Sequence, residues 1–277
     1  MIVTWSQGNA DENMPEEILV ALCDAIARHP WWQARAKLTL SILERMGVQP
    51  SATILDAGCG WGVTLDALER KGYRPDGLDL SRRTLELLDR SDRTLIEADL
   101  SRPVTLPPGA KPYDAVLALD VIEHIDDDRA AVSHLAQLTR PGGVAIVSVP
   151  ALPGLYSEFD AVQGHRRRYL PETLRDAFSE CDLEIDQVLW WGSWLVPFLK
   201  RQRRRASQQA GEPVTETYRR YLKLPPWPIR AVLRLAFAID QSRTLSGKPN
   251  IGTSLFAVAR RKKAAPPVAG KTPDHTA

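Results

Sequence analysis

The chain has 277 residues, 44% of them hydrophobic and 25% charged, enough to bury one substantial core with an added lobe and unlike a disordered composition. A net charge of +2 is too small to mark a polyanion-binding protein, so local clusters of charge carry more meaning than the total. Cys23, Cys59 and Cys181 show neither paired nor metal-ligand spacing, which argues against a disulfide scaffold and fits a reducing compartment.

Residues 1–11 are polar, lack the cationic start and apolar run of a secretory signal, and read as loose. No stretch reaches the ~20 apolar residues needed to span a bilayer, so the expectation is a cytoplasmic protein. Ile18, Leu19, Leu22 and Ile26 give a helical spacing over 14–28. His29, Pro30, Trp31 and Trp32 interrupt it, since the residue before a proline is disfavoured in a helix. A second helix is predicted over 33–46, stopped by Gly47.

The pattern then changes. A short apolar strand, 53–57, carries Asp56 and runs into Gly58-Cys59-Gly60-Trp61-Gly62, followed by a helix over 63–71. A second strand ends at Leu78-Asp79-Leu80, before a helix at 82–89. A third, 95–98, ends beside Asp99, and a fourth, 114–119, ends at Asp120. After a helix over 129–139, Pro141-Gly142-Gly143 turns the chain into a fifth strand, 144–149. A helix at 171–179, strands at 183–189 and 254–259, and a Trp-, Arg- and Pro-rich stretch over 190–250 complete the order. The tail from 262 has a disordered composition.

Strands alternating with helices predict a parallel sheet covered on both faces. Ligands of such sheets bind outside the carboxyl ends of the strands, where Asp56, Asp79, Asp99 and Asp120 all fall. Glycines between a strand and a helix let the backbone approach a ligand, beside the free N–H groups of a helix start. A dinucleotide-type G-x-G-x-x-G would require glycine at Val63, and the spacing here is G-x-G-x-G. Asp79 lies about 20 residues beyond the turn, where a carboxylate accepts from ribose hydroxyls. Asp99-Leu100 is placed for the exocyclic amine of an adenine, and Asp120-Val121 for the far end of the same ligand.

Ile54-Leu55-Asp56-Ala57-Gly58-Cys59-Gly60-Trp61-Gly62 resembles the first motif of class I S-adenosylmethionine (SAM)-dependent methyltransferases. Gly77-Leu78-Asp79-Leu80-Ser81, Glu97-Ala98-Asp99-Leu100, residues 113–125 and Pro141-Gly142-Gly143 resemble the following motifs, in order. The resemblance covers about 30–190. It implies a Rossmann-like α/β fold with a seven-stranded, mostly parallel sheet, its last strand reversed, and SAM along the carboxyl edge. The implied cofactor residues are Asp56, Gly58, Cys59, Gly60, Gly62, Asp79, Leu80, Asp99, Leu100, Asp120 and Val121. Residues 29–43, Gly164-His165-Arg166-Arg167-Arg168-Tyr169 and Ser254-Leu255-Phe256-Ala257-Val258-Ala259-Arg260 resemble a bacterial subgroup with no dependable acceptor.

Transfer of a sulfonium methyl is an in-line displacement that chiefly needs alignment, and a base only where the acceptor loses a proton. His124, after the fourth strand, and His165, on the loop after the fifth, are the candidate bases. Arg166, Arg168 and Tyr169 are candidates for binding the acceptor, guanidinium suiting a phosphate or carboxylate. No metal is expected, because the histidines lack a spacing such as H-E-x-x-H.

Trp190, Trp191 and Trp194 precede five cations among residues 200–205, and Arg230 and Arg234 share a helical face. Aromatics beside cations suit an anionic membrane interface and a lipid-linked acceptor; an ordinary lid explains them as well. The expected plan is a helical cap (1–50), a SAM-binding core (51–189), a helical insertion (190–250), a final strand (251–261) and a tail (262–277). The leading function is methylation of a small or lipid-linked molecule. An NAD-dependent oxidoreductase, a nucleic-acid methyltransferase and a non-catalytic SAM-binding protein stay as alternatives. Nucleic acid is not an expected partner, since no Asn-Pro-Pro-Tyr-like motif follows the fourth strand. Nothing in the sequence sets an oligomeric state.

Overall fold

The computed structural model of the chain describes residues 1–6, 16–90, 93–206, 218, 222–248 and 250–263, with backbone only for 16–21 and 202–206. The expected tail beyond 263 and the side chains of 202–205 in the basic cluster lie outside the described residues.

Eight strands form one sheet: β1 Ile2–Thr4, β2 Thr53–Ala57, β3 Arg74–Asp79, β4 Leu95–Glu97, β5 Tyr113–Leu119, β6 Thr139–Pro150, β7 Leu183–Trp191 and β8 Ser254–Arg261, in the order β1-β4-β3-β2-β5-β6-β8-β7. All neighbours are parallel except β8, which runs antiparallel to both β6 and β7. The last strand is therefore reversed, as the resemblance implies. The count is eight rather than seven because Ile2–Thr4, read as loose, pairs in register with Leu95, Ile96 and Glu97. A three-residue edge strand is too short to show periodicity, so its partner defines it.

The helices are α1 Glu16–Arg28, α2 Pro30–Arg45, α3 Val63–Arg70, α4 Arg82–Leu88, α5 Asp128–Leu138, α6 Glu158–Val162, α7 Pro171–Ala177, α8 Leu195–Ala206 and α9 Trp227–Leu245. They cover both faces, and the strands show why. Ile54, Ala115, Leu117 and Leu119 join one core with Leu38 and Leu43 of α2 and Phe237 of α9. Leu55, Val116 and Ala118 point the other way, to Leu135 of α5 and Leu174 of α7. Strands buried on both sides need apolar residues at nearly every position, and these have them.

The interruption at 29–32 is smaller than the sequence suggests. Only His29 leaves the helical region, and its ring accepts from the Trp31 N–H at 3.2 Å. Pro30 opens α2, where its missing N–H would have had no helical partner. Trp31 and Trp32 pack onto the core, Trp31 lying 5.6 Å from Trp191 between ring centroids. Trp191, the last residue of β7, is fully buried against Phe237 and Phe256. Its strand thus extends past 189 into the stretch read as an insertion. Helix α9 docks on α2 and the end of β7: Gln241 donates to Ser41 Oγ at 3.0 Å, and the Asp240 carboxylate accepts from Gly192 N–H at 2.6 Å.

Candidate active site

The chain leaves β2 for β3 and β4 on one side and resumes at β5 on the other, so the sheet has a switch point between β2 and β5. The glycine turn begins there. Gly58 has φ +84°, and a Cβ would sit 2.4 Å from a Val121 methyl, so only glycine lets the two strand-end loops touch. Gly60 differs: φ is +48°, and a Cβ there would meet nothing within 4 Å. Its backbone faces open space from which a ligand can approach.

The Asp79 carboxylate ties this turn to the next loop, accepting from Gly60 N–H at 2.8 Å and Ser81 N–H at 2.9 Å. A carboxylate only accepts, which is the chemistry a ribose diol calls for. Asp56 is buried behind it, and burial pushes its pKa up to about 7, with Arg35 opposing and Asp79 reinforcing. Cys59 is buried with its sulfur toward Gly77, and burial raises its thiol well above the usual range, as befits packing rather than nucleophilic attack. Asp99 lies on the same edge, its carboxylate accepting from Ser101 N–H at 2.8 Å. Leu80 is half-buried, while Leu100 is buried and its carbonyl meets His134 Nδ1 at 2.9 Å.

Asp120 follows β5 with φ +59°, a left-handed conformation that is costly for a residue with a Cβ and concentrates at functional sites. Arg35 Nη1 reaches its carboxylate at 2.5 Å and also donates to Leu119 O, while Ser148 Oγ donates to the other carboxylate oxygen. The buried Nε of Arg35 has no hydrogen-bond partner among the described residues.

One turn further on stand Glu123 and His124. Glu123 is fully buried, and neither carboxylate oxygen has a hydrogen-bond partner among the described residues. Burial first, and then Asp120, drive its pKa well above the carboxylate range. Burial and the neighbouring His165 lower His124 to about 4. The two imidazoles meet edge to face with centroids 4.8 Å apart.

His165 comes from the segment after α6, held against this turn by Arg166 N–H to Glu123 O at 2.7 Å. Its Nδ1 lies 3.0 Å from Asp160 Oδ1, and Arg168 Nε donates to the same oxygen at 2.7 Å. Although burial works against it, the His165 hydrogen bond and the Arg168 guanidinium hold Asp160 well below the carboxylate range. Ser157 and Asp160 cap α6 reciprocally, fixing that carboxylate. Tyr169 is buried with its hydroxyl on Asp128 at 2.8 Å, and burial together with Asp128 raises its pKa.

The structure thus gathers the glycine turn, Asp56, Asp79, Asp99 and Asp120 along one edge and brings His124 to His165. Of the three residues expected to bind an acceptor, Arg168 and Tyr169 brace the loop from within. Arg166 is exposed, paired with Asp126 at 3.2 Å. Arg35, Glu123 and Asp160 were not among the expected site residues. Glu123 stands inside the 113–125 segment, and Ser157 with Asp160 has the spacing of a helix cap; nothing in the sequence joins Arg35 to a residue 85 positions away. Two surface hollows of about 270 Å³ lie elsewhere, one beside Gln137 and Cys181, the other beside Glu44 and Tyr73.

Known proteins resemble this chain in sequence and fold. A family model described as a methyltransferase domain matches residues 31–188, more than half of the chain. A ubiquinone biosynthesis O-methyltransferase of Leptothrix cholodnii is 27% identical over 43% of this chain and 57% of its own length. The enzyme of that name from Escherichia coli is 30% identical over 45% of this chain and 57% of its own length. The chain therefore spans a little over half the length of these curated relatives. A crystal structure from Galdieria sulphuraria, assigned as a sarcosine dimethylglycine methyltransferase, superposes with a TM-score of 0.54 at 16% identity, covering 82% of this chain and 85% of that one; this likeness speaks for the fold alone. Because the family match runs through every strand that bears a rim acid, the chain belongs to the methyltransferase-domain family, the class I enzymes whose cofactor is SAM.

Proposed function

We propose that the chain transfers the methyl group of SAM to an oxygen of a small or lipid-linked acceptor. The observation that carries this reading is the continuity of the rim. A ligand-ready turn, with Gly60 N–H 2.8 Å from the Asp79 carboxylate, leads through Asp120 to the cluster of Glu123, His124 and His165. Asp79 would take the ribose hydroxyls, Asp99-Leu100 the adenine, and the Arg35 Nε the cofactor's own carboxylate. An acceptor hydroxyl would face Glu123, His124 and His165.

SAM supplies an activated methyl on a good leaving group. As the new O–C bond forms, the C–S bond breaks and the sulfonium becomes a neutral thioether. The chain's residues align the two partners in a water-poor place and remove the hydroxyl proton. His165, oriented by Asp160 through Nδ1 at 3.0 Å, is the group placed to take it. The curated relatives' names favour oxygen as the accepting atom.

Helix α9 supports a lipid-linked acceptor. Trp227, Ile229, Val232, Leu235 and Ile239 are each more than half exposed, and the charged residues among the exposed positions of this helix are Arg234 and Arg243. A second copy of the chain would bring these cations face to face, whereas an anionic bilayer would neutralise them. No helix among the described residues is long and apolar enough to cross a membrane, so the contact would be peripheral.

The test supplies methyl-labelled SAM and the purified chain to a fractionated bacterial lysate, with sedimentation on anionic vesicles in parallel. Label in the organic extract and salt-sensitive vesicle binding are expected. Label confined to nucleic acid would overturn the acceptor class, and no SAM-dependent label in any fraction would overturn methyl transfer.

A further inference from the structure

We propose that Glu123, His124 and His165 form a binding site for a divalent transition-metal cation. Their ligand atoms lie within 4.8 Å of one another, with His165 Nε2 at 4.0 Å from Glu123 Oε1. A cation with bonds of about 2.0–2.2 Å fits between them after small side-chain rotations.

The hydrogen bonding around the cluster engages one ring nitrogen of each histidine. His165 Nδ1 meets the Asp160 carboxylate at 3.0 Å, and its Nε2 faces Glu123 Oε1 at 4.0 Å. The His124 ring bonds the Gln163 backbone, while its buried Nδ1 has no partner among the described residues. The bonded nitrogen is therefore Nε2, which donates, and Nδ1 is bare. Both oxygens of Glu123, at 0% exposure, lack hydrogen-bond partners among the described residues as well. Buried polar atoms of Glu123 and His124 without partners among the described residues are costly to leave unmet, and a cation shared with His165 would meet them.

The surroundings match those of metal-binding histidines, whose second ring nitrogen usually donates to a carboxylate or a backbone carbonyl. Asp160 serves His165 in this way and Gln163 serves His124. Nearby positive charge is already balanced: Arg168 pairs with Asp160 at 2.7 Å and Arg35 with Asp120. Two imidazoles and one carboxylate select a zinc-like or iron-like ion over magnesium, which prefers oxygen. Three protein ligands leave open positions for an oxygen of the acceptor. The linear spacing of the histidines carries no sign of these ligands, because they come from two loops.

The role at the acceptor rests on the methyl-transfer reading; the binding of the ion does not. The full chain, stripped with a chelator, is titrated with Zn²⁺ alone and separately with Mg²⁺, and its Co²⁺ form is examined by absorption. One equivalent of Zn²⁺, a Co²⁺ spectrum lacking thiolate bands, and weak Mg²⁺ binding are expected. Glu123→Gln and His165→Ala should each weaken Zn²⁺ binding about tenfold or more, while SAM affinity, measured on the same samples, reports that the fold is intact. If a variant loses SAM binding as well, His124→Gln takes its place. No stoichiometric Zn²⁺, or undiminished binding by a Glu123→Gln, His124→Gln double variant, overturns the site and leaves the SAM reading standing. Zn²⁺ binding without SAM binding does the reverse.

Discussion

The two halves of the rim treat their polar groups in opposite ways. On the cofactor side, the Asp79 carboxylate is fixed by two backbone N–H groups, and Asp99 is held by the turn that follows it. On the side proposed for the acceptor, Glu123 and His124 keep buried polar atoms without partners among the described residues, while Asp160, Arg168 and Tyr169 immediately behind them are paired. A folded chain tolerates orphaned buried acceptors only where something else supplies the missing interaction. The half proposed for the cofactor is a hydrogen-bonded turn, and the half proposed for the acceptor is a braced frame around polar groups without partners among the described residues.

The largest expected effect breaks that frame. Asp160 is buried and accepts from Arg168, His165 and Ser157. Asp160→Ala would strand the buried Arg168 guanidinium, a loss of about 3–5 kcal/mol by the usual cost of breaking a buried ion pair. Urea unfolding of the variant measures it, and a loss below about 1 kcal/mol would mean that the loop is not braced in this way.

The second effect falls on the other half and is smaller in energy. Asp79→Ala removes a charged acceptor of two hydrogen bonds and should weaken SAM binding about 100-fold, or some 2–3 kcal/mol. Calorimetry checks this. Near-normal affinity would show that the cofactor lies elsewhere and would remove the contrast between the halves.

The half proposed for the cofactor was legible in the sequence as a gathered edge because its parts are local. Each acid sits at the end of one strand, and the glycine spacing is contiguous. The acceptor half was only partly legible. His124 and His165 were both singled out, but their meeting depends on a long loop docking through Arg166 N–H onto Glu123 O. Helix α6, with five residues, is too short to show a period, so the role of Asp160 stayed hidden. Arg35 reaches Asp120 from a helix whose start was placed late, because Pro30 was read as a stop although it begins the helix.

That helix start yields the smallest effect and links the halves, since α2 carries Arg35 to Asp120. Burial lowers His29 from 6.5 to about 4, and its neutral ring accepts from Trp31 N–H. A histidine depressed in the folded state contributes stability that is fully present above about pH 6.5 and is lost as pH falls through about 4. Allowing for its partial exposure, the loss is about 1–2 kcal/mol. His29→Asn keeps a capping acceptor but does not titrate in this range. Urea midpoints at pH 7 and pH 4 should therefore converge for the two proteins at neutral pH and separate in acid, with the asparagine variant the more resistant. Equal acid sensitivity would place the titrating group elsewhere, and His29 would then cap the helix without coupling it to pH.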